Sequence, residues 1–336
     1  PSSNEYAIVG PNGNIQLFSN FESTHTIDRF CKKIWTGTFL SCSVDYGVEF
    51  YDWNSGKIIR RIETHASEIS WYNDLVAIRT KDSIYVLQYN QPNEDSTYSQ
   101  DTGYDDAFTL INTIDVRGST SIYWHSGVLF YTENCKVNRF VGGIVQSTAT
   151  LKFPIDSILG YLPRENLFVI TDLQHNILGV NFPFALIEFE SAVAEGNETD
   201  AEDIPEQYRA RCAKFLKQIG QKELALALTT DPSMRFDLAL ELGKLEVAQQ
   251  AAIEATNLST NAVDTTIWKR LAQAALQSGD IDMAAIALKS CKDFSSLMIL
   301  YKAKNKRDEM VNLVDECEQA GYLNVAFSAA LLVGNK

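Results

Sequence analysis

The hydrophobic period of this 336-residue chain changes once, near Phe182. Upstream of it, short runs of alternating apolar and polar residues recur: NIQLF from Asn14, GVEFYDW from Gly47, SIYVLQY from Ser83, KVNRF from Lys136 and NILGV from Asn176. Their first apolar residues, Ile15, Val48, Ile84, Val137 and Ile177, lie 33, 36, 53 and 40 residues apart, and the longest step contains a polar insertion. Alternation of this kind makes half-buried strands, and downstream it gives way to the wider spacing of amphipathic helices. Units of roughly 40 residues holding about four strands are blades of a β-propeller, and serial helix pairs form an α-solenoid. The pattern predicts a multidomain β + α chain: an incomplete WD-type propeller over 1–183, a linker helix and acidic loop over 184–205, and an irregular helix-pair solenoid over 206–336.

The second unit shows the blade grammar most fully. TFLSCS from Thr38 alternates, Asp45-Tyr46-Gly47 reverses the chain, GVEFYDW follows, and Asn54-Ser55-Gly56 turns it into KIIRRIE. Turn residues between alternating runs specify consecutive antiparallel strands. Four to five such units are visible, and because a propeller closes with about four to eight blades, further blades are expected to precede Pro1. The insertion Gln91 to Asp106, QPNEDSTYSQDTGYDD, holds five acidic residues and no basic one. It lacks the D-x-D-x-D-G order of a calcium loop and reads as a solvated, mobile surface loop.

Past the change of period, Phe182, Leu186, Phe189 and Val193 share one helical face, EGNETDAEDIPE follows as an acidic loop, and Pro205 restarts a helix at its first turn. Gly220, Gly243, Gly279 and Gly321 each stand five residues before an alanine: Ala225, Ala248, Ala284 and Ala326. Glycine supplies the left-handed residue that ends a helix, and a small residue one turn into the next helix lets the two approach closely. Asn305 takes the cap role in the intervening pair, with Met310 at the alanine position. The caps are unevenly spaced, unlike a strict tetratricopeptide array of about 34-residue repeats.

The net charge of −14 is divided evenly between residues 1–183 and 184–336. A nucleic-acid groove needs a basic stripe, so proteins rather than polyanions are the expected partners. The six cysteines stand singly, without a C-x-x-C pair or a histidine at ligand spacing, as reduced structural thiols of a cytosolic chain do. No apolar run of about 18 residues occurs, so no membrane span is expected. Catalysis brings a nucleophile, a base and an orienting group into one pocket, but His25, His65, His125 and His175 fall in separate units. No G-x-S-x-G, H-E-x-x-H or phosphate-binding glycine loop is present. No catalytic, cofactor-binding or metal-binding residue is assigned, and no cofactor or small-molecule substrate is expected.

Two groups are candidates for partner binding. Lys302, Lys304, Lys306 and Arg307 crowd one helix end, where they either meet an acidic partner or headgroup or complement the helix dipole. Trp268, Leu271, Phe294, Leu297, Met298 and Tyr301 recur at helical spacing, as core or as a docking ridge.

FYDWNSGKIIRRIE from Phe50, GYDDAFTLINTI from Gly103, VNRFVGG from Val137, TDPSMRFDLALELGKLEVA from Thr230, WKRLAQAAL from Trp268 and NVAF from Asn324 form an ordered set covering nearly the whole chain. In that set the chain resembles the beta-prime family of coatomer subunits of the COPI vesicle coat. Asp52-Trp53 reverses the WD dipeptide, and a regular G-H…W-D pattern is missing. The resemblance implies most of a second propeller plus the start of a solenoid. It also implies a non-catalytic structural role in Golgi-to-ER and intra-Golgi transport. The implied partners are alpha-coatomer and other coatomer subunits, and the implied location is cytoplasmic, peripheral on Golgi membranes and COPI vesicles through the coat. The family's dilysine-reading cargo site belongs to the first propeller, so no cargo-binding residue is carried over. A scaffold subunit of a nuclear pore or of intraflagellar transport is the alternative of the same architecture, and an enzyme with a propeller-channel site is the third.

Overall fold

Antiparallel hairpins build everything up to Asn181 in the computed structural model of the chain, which describes residues 4–93, 96–118, 121–197, 204–258 and 265–334. The first sheet contains β1 (Glu5–Val9), β2 (Ile15–Ser19) and β3 (Glu22–Ile27). The second is built on β4 (Lys33–Trp35), β5 (Leu40–Val44), β6 (Gly47–Tyr51) and β7 (Ile58–Ile62). Then come β8 (Glu68–Tyr72), β9 (Leu75–Arg79), β10 (Ser83–Tyr89), a short hairpin of β11 (Tyr98–Ser99) and β12 (Gly103–Tyr104), and β13 (Phe108–Asp115). The third sheet runs β13-β10-β9-β8. The fourth is β14 (Ile122–His125), β15 (Val128–Glu133), β16 (Lys136–Val141) and β17 (Ile144–Thr150), and the fifth is β18 (Ile155–Leu162), β19 (Leu167–Asp172) and β20 (Ile177–Asn181). Asn73 and Asn134 take left-handed backbone in the β8–β9 and β15–β16 turns, as tight hairpins require.

Successive sheets pack face to face, as propeller blades do. Ile15 and Leu17 share a core with Leu40, Cys42 and Tyr51. Val48 and Phe50 do so with Ile69, Val76 and Ile78, and Ile84 and Val86 with Trp124, Leu129 and Phe140. The Phe130 and Phe168 rings join the fourth and fifth sheets at 4.3 Å. Sandwiched central strands lose the polar-out face that alternation predicts. Every residue of β6 is buried, and so is all of β16 except Lys136. Their charged residues must then find partners inside. Glu49, 1% exposed, accepts from the Tyr51 hydroxyl at 2.5 Å and from Arg61 Nε and Nη2 at 2.8 and 2.6 Å.

The acidic insertion is more ordered than a mobile loop. Residues 94 and 95 lie outside the described residues, but the remainder forms the β11–β12 hairpin and adds to the outer strand of the second sheet, in the order β11-β12-β7-β6-β5-β4. Its carboxylates are solvated, as read, but they also pair: Asp105 with Arg60 of β7 at 2.5 Å and Asp101 with Arg29, just after β3, at 3.2 Å. The hairpin also covers an edge strand that would otherwise be free to pair with another chain. Gly103 (φ +76) lies opposite Arg60, and a Cβ there would stand 2.2 Å from the Ile59 carbonyl oxygen. Gly103→Val is therefore expected to undock the hairpin, seen as faster limited proteolysis within 91–106 with the remaining strands intact. A wild-type cleavage rate in this variant would contradict the docking.

Helix α1 (Phe184–Ala194) belongs to the first of two compact units, Pro1–Asp200 and Ala201–Lys336. Its Leu186, Ile187, Phe189 and Val193 are buried, and it packs on β15 and β16. Glu190, polar by type, is buried with them because Arg139 of β16 meets it with both Nε and Nη2, at 2.7 and 2.6 Å. The same guanidinium lies 5.1 Å from the centre of the Phe182 ring. Of the acidic stretch after α1, residues 198–203 lie outside the described residues.

The second unit contains α2 (Glu206–Ile219), α3 (Lys222–Leu228), α4 (Pro232–Glu241), α5 (Leu245–Leu258), α6 (Thr265–Ser278), α7 (Ile281–Ser290), α8 (Phe294–Ala303), α9 (Arg307–Gln319) and α10 (Leu323–Val333). Consecutive helices pack as neighbours, which makes the unit a run of helix pairs. The cap pattern is confirmed: Gly220, Gly243, Gly279, Gly321 and Asn305 all have positive φ, and Ala225, Ala248, Ala284, Ala326 and Met310 are all buried. Lys292 occupies one further left-handed position, between α7 and α8, that no glycine announces. Asp231, Asp280 and Asp293 cap α4, α7 and α8 by accepting from backbone N–H groups of the first turn.

Candidate functional site

In the helical unit the apolar candidates divide by burial. Trp268, Leu271, Phe294 and Leu297 are at most 6% exposed and belong to one core with Ala272, Ala275 and Ala284. The Trp268 indole donates to Thr256 Oγ1 at 3.2 Å, which satisfies its one polar atom inside that core. Met298 and Tyr301 pack against the same core while half-buried, and burial pushes the Tyr301 phenol up. The large apolar side chains left to solvent are others: Ile299 on α8, and Leu323, Phe327 and Leu331 on α10, each more than 60% exposed. Residues 323, 327 and 331 follow at i, i+4 and i+8 and so share a face of α10.

The basic candidates do gather, but two of the four are engaged. Lys306 Nζ pairs with Asp282 at 2.8 Å and Glu309 at 3.7 Å, and the bond to Asp282 raises the lysine and lowers the carboxylate. Arg307 Nη2 donates to the Val333 carbonyl at 3.0 Å. Lys302 and Lys304 are exposed. Lys302, Lys306 and Arg307 line a depression of about 250 Å³ with Tyr301, Met310 and Leu332.

The first unit holds a groove that the sequence did not announce, a cavity of about 280 Å³ between the third and fourth sheets. Tyr72, Leu75, Val86 and Ile111 form one wall, Trp124, Phe140 and Val141 the other, and Ser191, Ala194 and Glu195 of the α1 end close it. The Tyr72 and Trp124 rings stack at 6.0 Å with 23° between their planes. Burial pushes the Tyr72 phenol up, and the Glu195 carboxylate adds to the shift. Gly127 leaves this end open, since a Cβ there would meet Ser191 Oγ at 2.8 Å and both Glu195 Oε1 and Tyr72 Cε1 at 3.4 Å. The lining residues run from Tyr72 to Glu195 along the sequence, and only the tertiary packing of α1 against β15 and β16 assembles them.

The histidines remain apart. His25 Nε2 contacts the Asn54 carbonyl at 2.7 Å, whereas His125 packs against Tyr161 and Phe184, and its burial lowers it. Among the described residues no three His, Cys, Asp or Glu side chains are grouped to hold a metal ion, and no helix is long and apolar enough to cross a membrane.

Stacked antiparallel sheets followed by serial helix pairs define a propeller-and-solenoid protein. The family model described as the COPA/B second beta-propeller matches residues 1–172, and the COPA/B TPR domain matches residues 189–336. The chain belongs to this coatomer family. It is 32% identical to coatomer subunit beta'-1 of Arabidopsis thaliana, 33% to coatomer subunit beta'-1 of Oryza sativa subsp. japonica and 31% to coatomer subunit beta' of Homo sapiens, in each case over 99% of this chain. The chain spans 37% of the length of each of these relatives. Among solved structures, Hsv2 of Kluyveromyces lactis gives a TM-score of 0.43 at 11% identity over 56% of this chain and 62% of its own, a likeness too weak to argue from.

Proposed function

We propose that the chain acts as part of a non-catalytic structural subunit of the COPI coat, cytoplasmic and peripheral on Golgi membranes, in Golgi-to-ER and intra-Golgi transport. The propeller blades supply a rigid body, and the helix pairs supply an elongated surface that joins alpha-coatomer and other coatomer subunits. The observation that carries this reading is the unbroken order of the two coatomer family matches along the chain, propeller first and helical repeat second. Two structural features favour it. Interior charges of the first unit are paired, Glu49 with Arg61 within a sheet and Arg139 with Glu190 of α1, and the helical unit exposes apolar residues such as Ile299 and Phe327 that its own core does not use.

The test is recovery of partners. A tagged full-length protein carrying this sequence is expected to co-purify alpha-coatomer in stoichiometric amount from a cell lysate. Recovery of a different assembly without alpha-coatomer would overturn the assignment.

A further inference from the structure

We infer that the groove between the third and fourth sheets binds an arginine side chain of a partner protein, with the guanidinium on Glu195 and the stem along Tyr72 and Trp124. This rests on the groove alone and holds or fails independently of the coat assignment. At about 280 Å³ the cavity is slightly smaller than pockets for drug-sized ligands, about 300–1,000 Å³, and is sized for one long side chain. The turn at Gly142 and Gly143 borders its rim, and a Cβ at Gly143 would meet nothing within 4 Å, so a peptide backbone has room to approach.

The electrostatics select a cation. Glu195 Oε1 is 3.4 Å from the Ser191 hydroxyl and Oε2 is 3.2 Å from Asn197 Nδ2, and no ion pair reaches it among the described residues. Glu195 is the C-cap of α1, a helix with no basic residue in its last turn, so its charge adds to the negative end of the helix dipole. The stacked aromatic pair beside it offers π faces that attract a cation and apolar area that covers a hydrocarbon stem. Arginine fits this combination better than lysine, because a planar guanidinium stacks on rings while its fork pairs with a carboxylate. The chain already uses the same recognition once: five residues back on α1, Glu190 holds Arg139 by two hydrogen bonds while the guanidinium lies over the Phe182 ring.

The probe is a fluorescein-labelled peptide Gly-Leu-Arg-Leu-Gly, compared by fluorescence polarisation with the same peptide carrying citrulline, which keeps the shape and loses the charge. The 336-residue chain at low salt is expected to bind the arginine peptide about tenfold more tightly than the citrulline peptide. Glu195→Gln, at an exposed position, should remove that difference while leaving the circular dichroism spectrum unchanged. Ile111→Trp, on the wall that holds Tyr72, should weaken the arginine peptide by filling the groove. Equal binding of the two peptides, equal binding of a lysine peptide, full discrimination by Glu195→Gln, or no binding at millimolar protein would each overturn the proposal.

Discussion

Replacing Arg139 with alanine is expected to destabilise the first unit by about 3–5 kcal/mol, the cost of stranding one charge of a buried pair. Its partner Glu190 is 2% exposed, so nothing else solvates the carboxylate once the guanidinium is gone. The double variant Arg139→Met with Glu190→Leu should recover most of the loss, because the pair's Coulomb energy largely offsets its own desolvation. Denaturant unfolding followed by tryptophan fluorescence measures this if Trp268, the one tryptophan outside the first unit, is first replaced by phenylalanine. A single-variant loss below about 1 kcal/mol would place the pair with exposed surface ion pairs and contradict its burial.

Leu271→Ala should cost the helical unit about 2–5 kcal/mol, since deleting a fully buried leucine side chain removes transfer energy and leaves a cavity. Leu271 is 0% exposed, between α6 and its neighbours, and circular dichroism in the helix band follows the unfolding of this unit, which holds α2 to α10 while the first unit holds only α1. Ile299→Ala, on the solvent side of α8, should stay within about half a kcal/mol. Similar losses for the two variants would contradict the division of the apolar residues into core and surface.

The helical half was legible because its signals are local. A glycine or asparagine that ends a helix and a small residue one turn into the next lie five residues apart, and the structure places every such pair as the spacing predicted. The blades were legible for the same reason, through hairpins whose turns and alternation fit within one window. What escaped the sequence was long-range. The ion pairs of Asp101 and Asp105 were hidden because Arg29 and Arg60 lie more than 40 residues away, and the insertion therefore looked mobile when it is docked. Arg139 and Glu190 are 51 residues apart, and neither stretch hints that a helix face carrying a glutamate will be buried. The groove at Tyr72, Trp124 and Glu195 depends on the same docking of α1. Helical spacing alone left Trp268, Leu271, Phe294 and Leu297 open as core or ridge, and burial resolves them as core.

The proposed structural role is tested most directly by the salt dependence of the proposed complex with alpha-coatomer. If apolar surface on the helix pairs joins the two proteins, full-length protein should retain alpha-coatomer from low salt to about 1 M, where the Debye length is about 3 Å, since screening weakens exposed charge pairs and leaves buried apolar area in place. Lys302→Glu with Lys304→Glu should then change retention little. Loss of alpha-coatomer at moderate salt, or on reversing those two charges, would transfer the contact to the basic cluster, and absence of alpha-coatomer at every salt concentration would contradict the account.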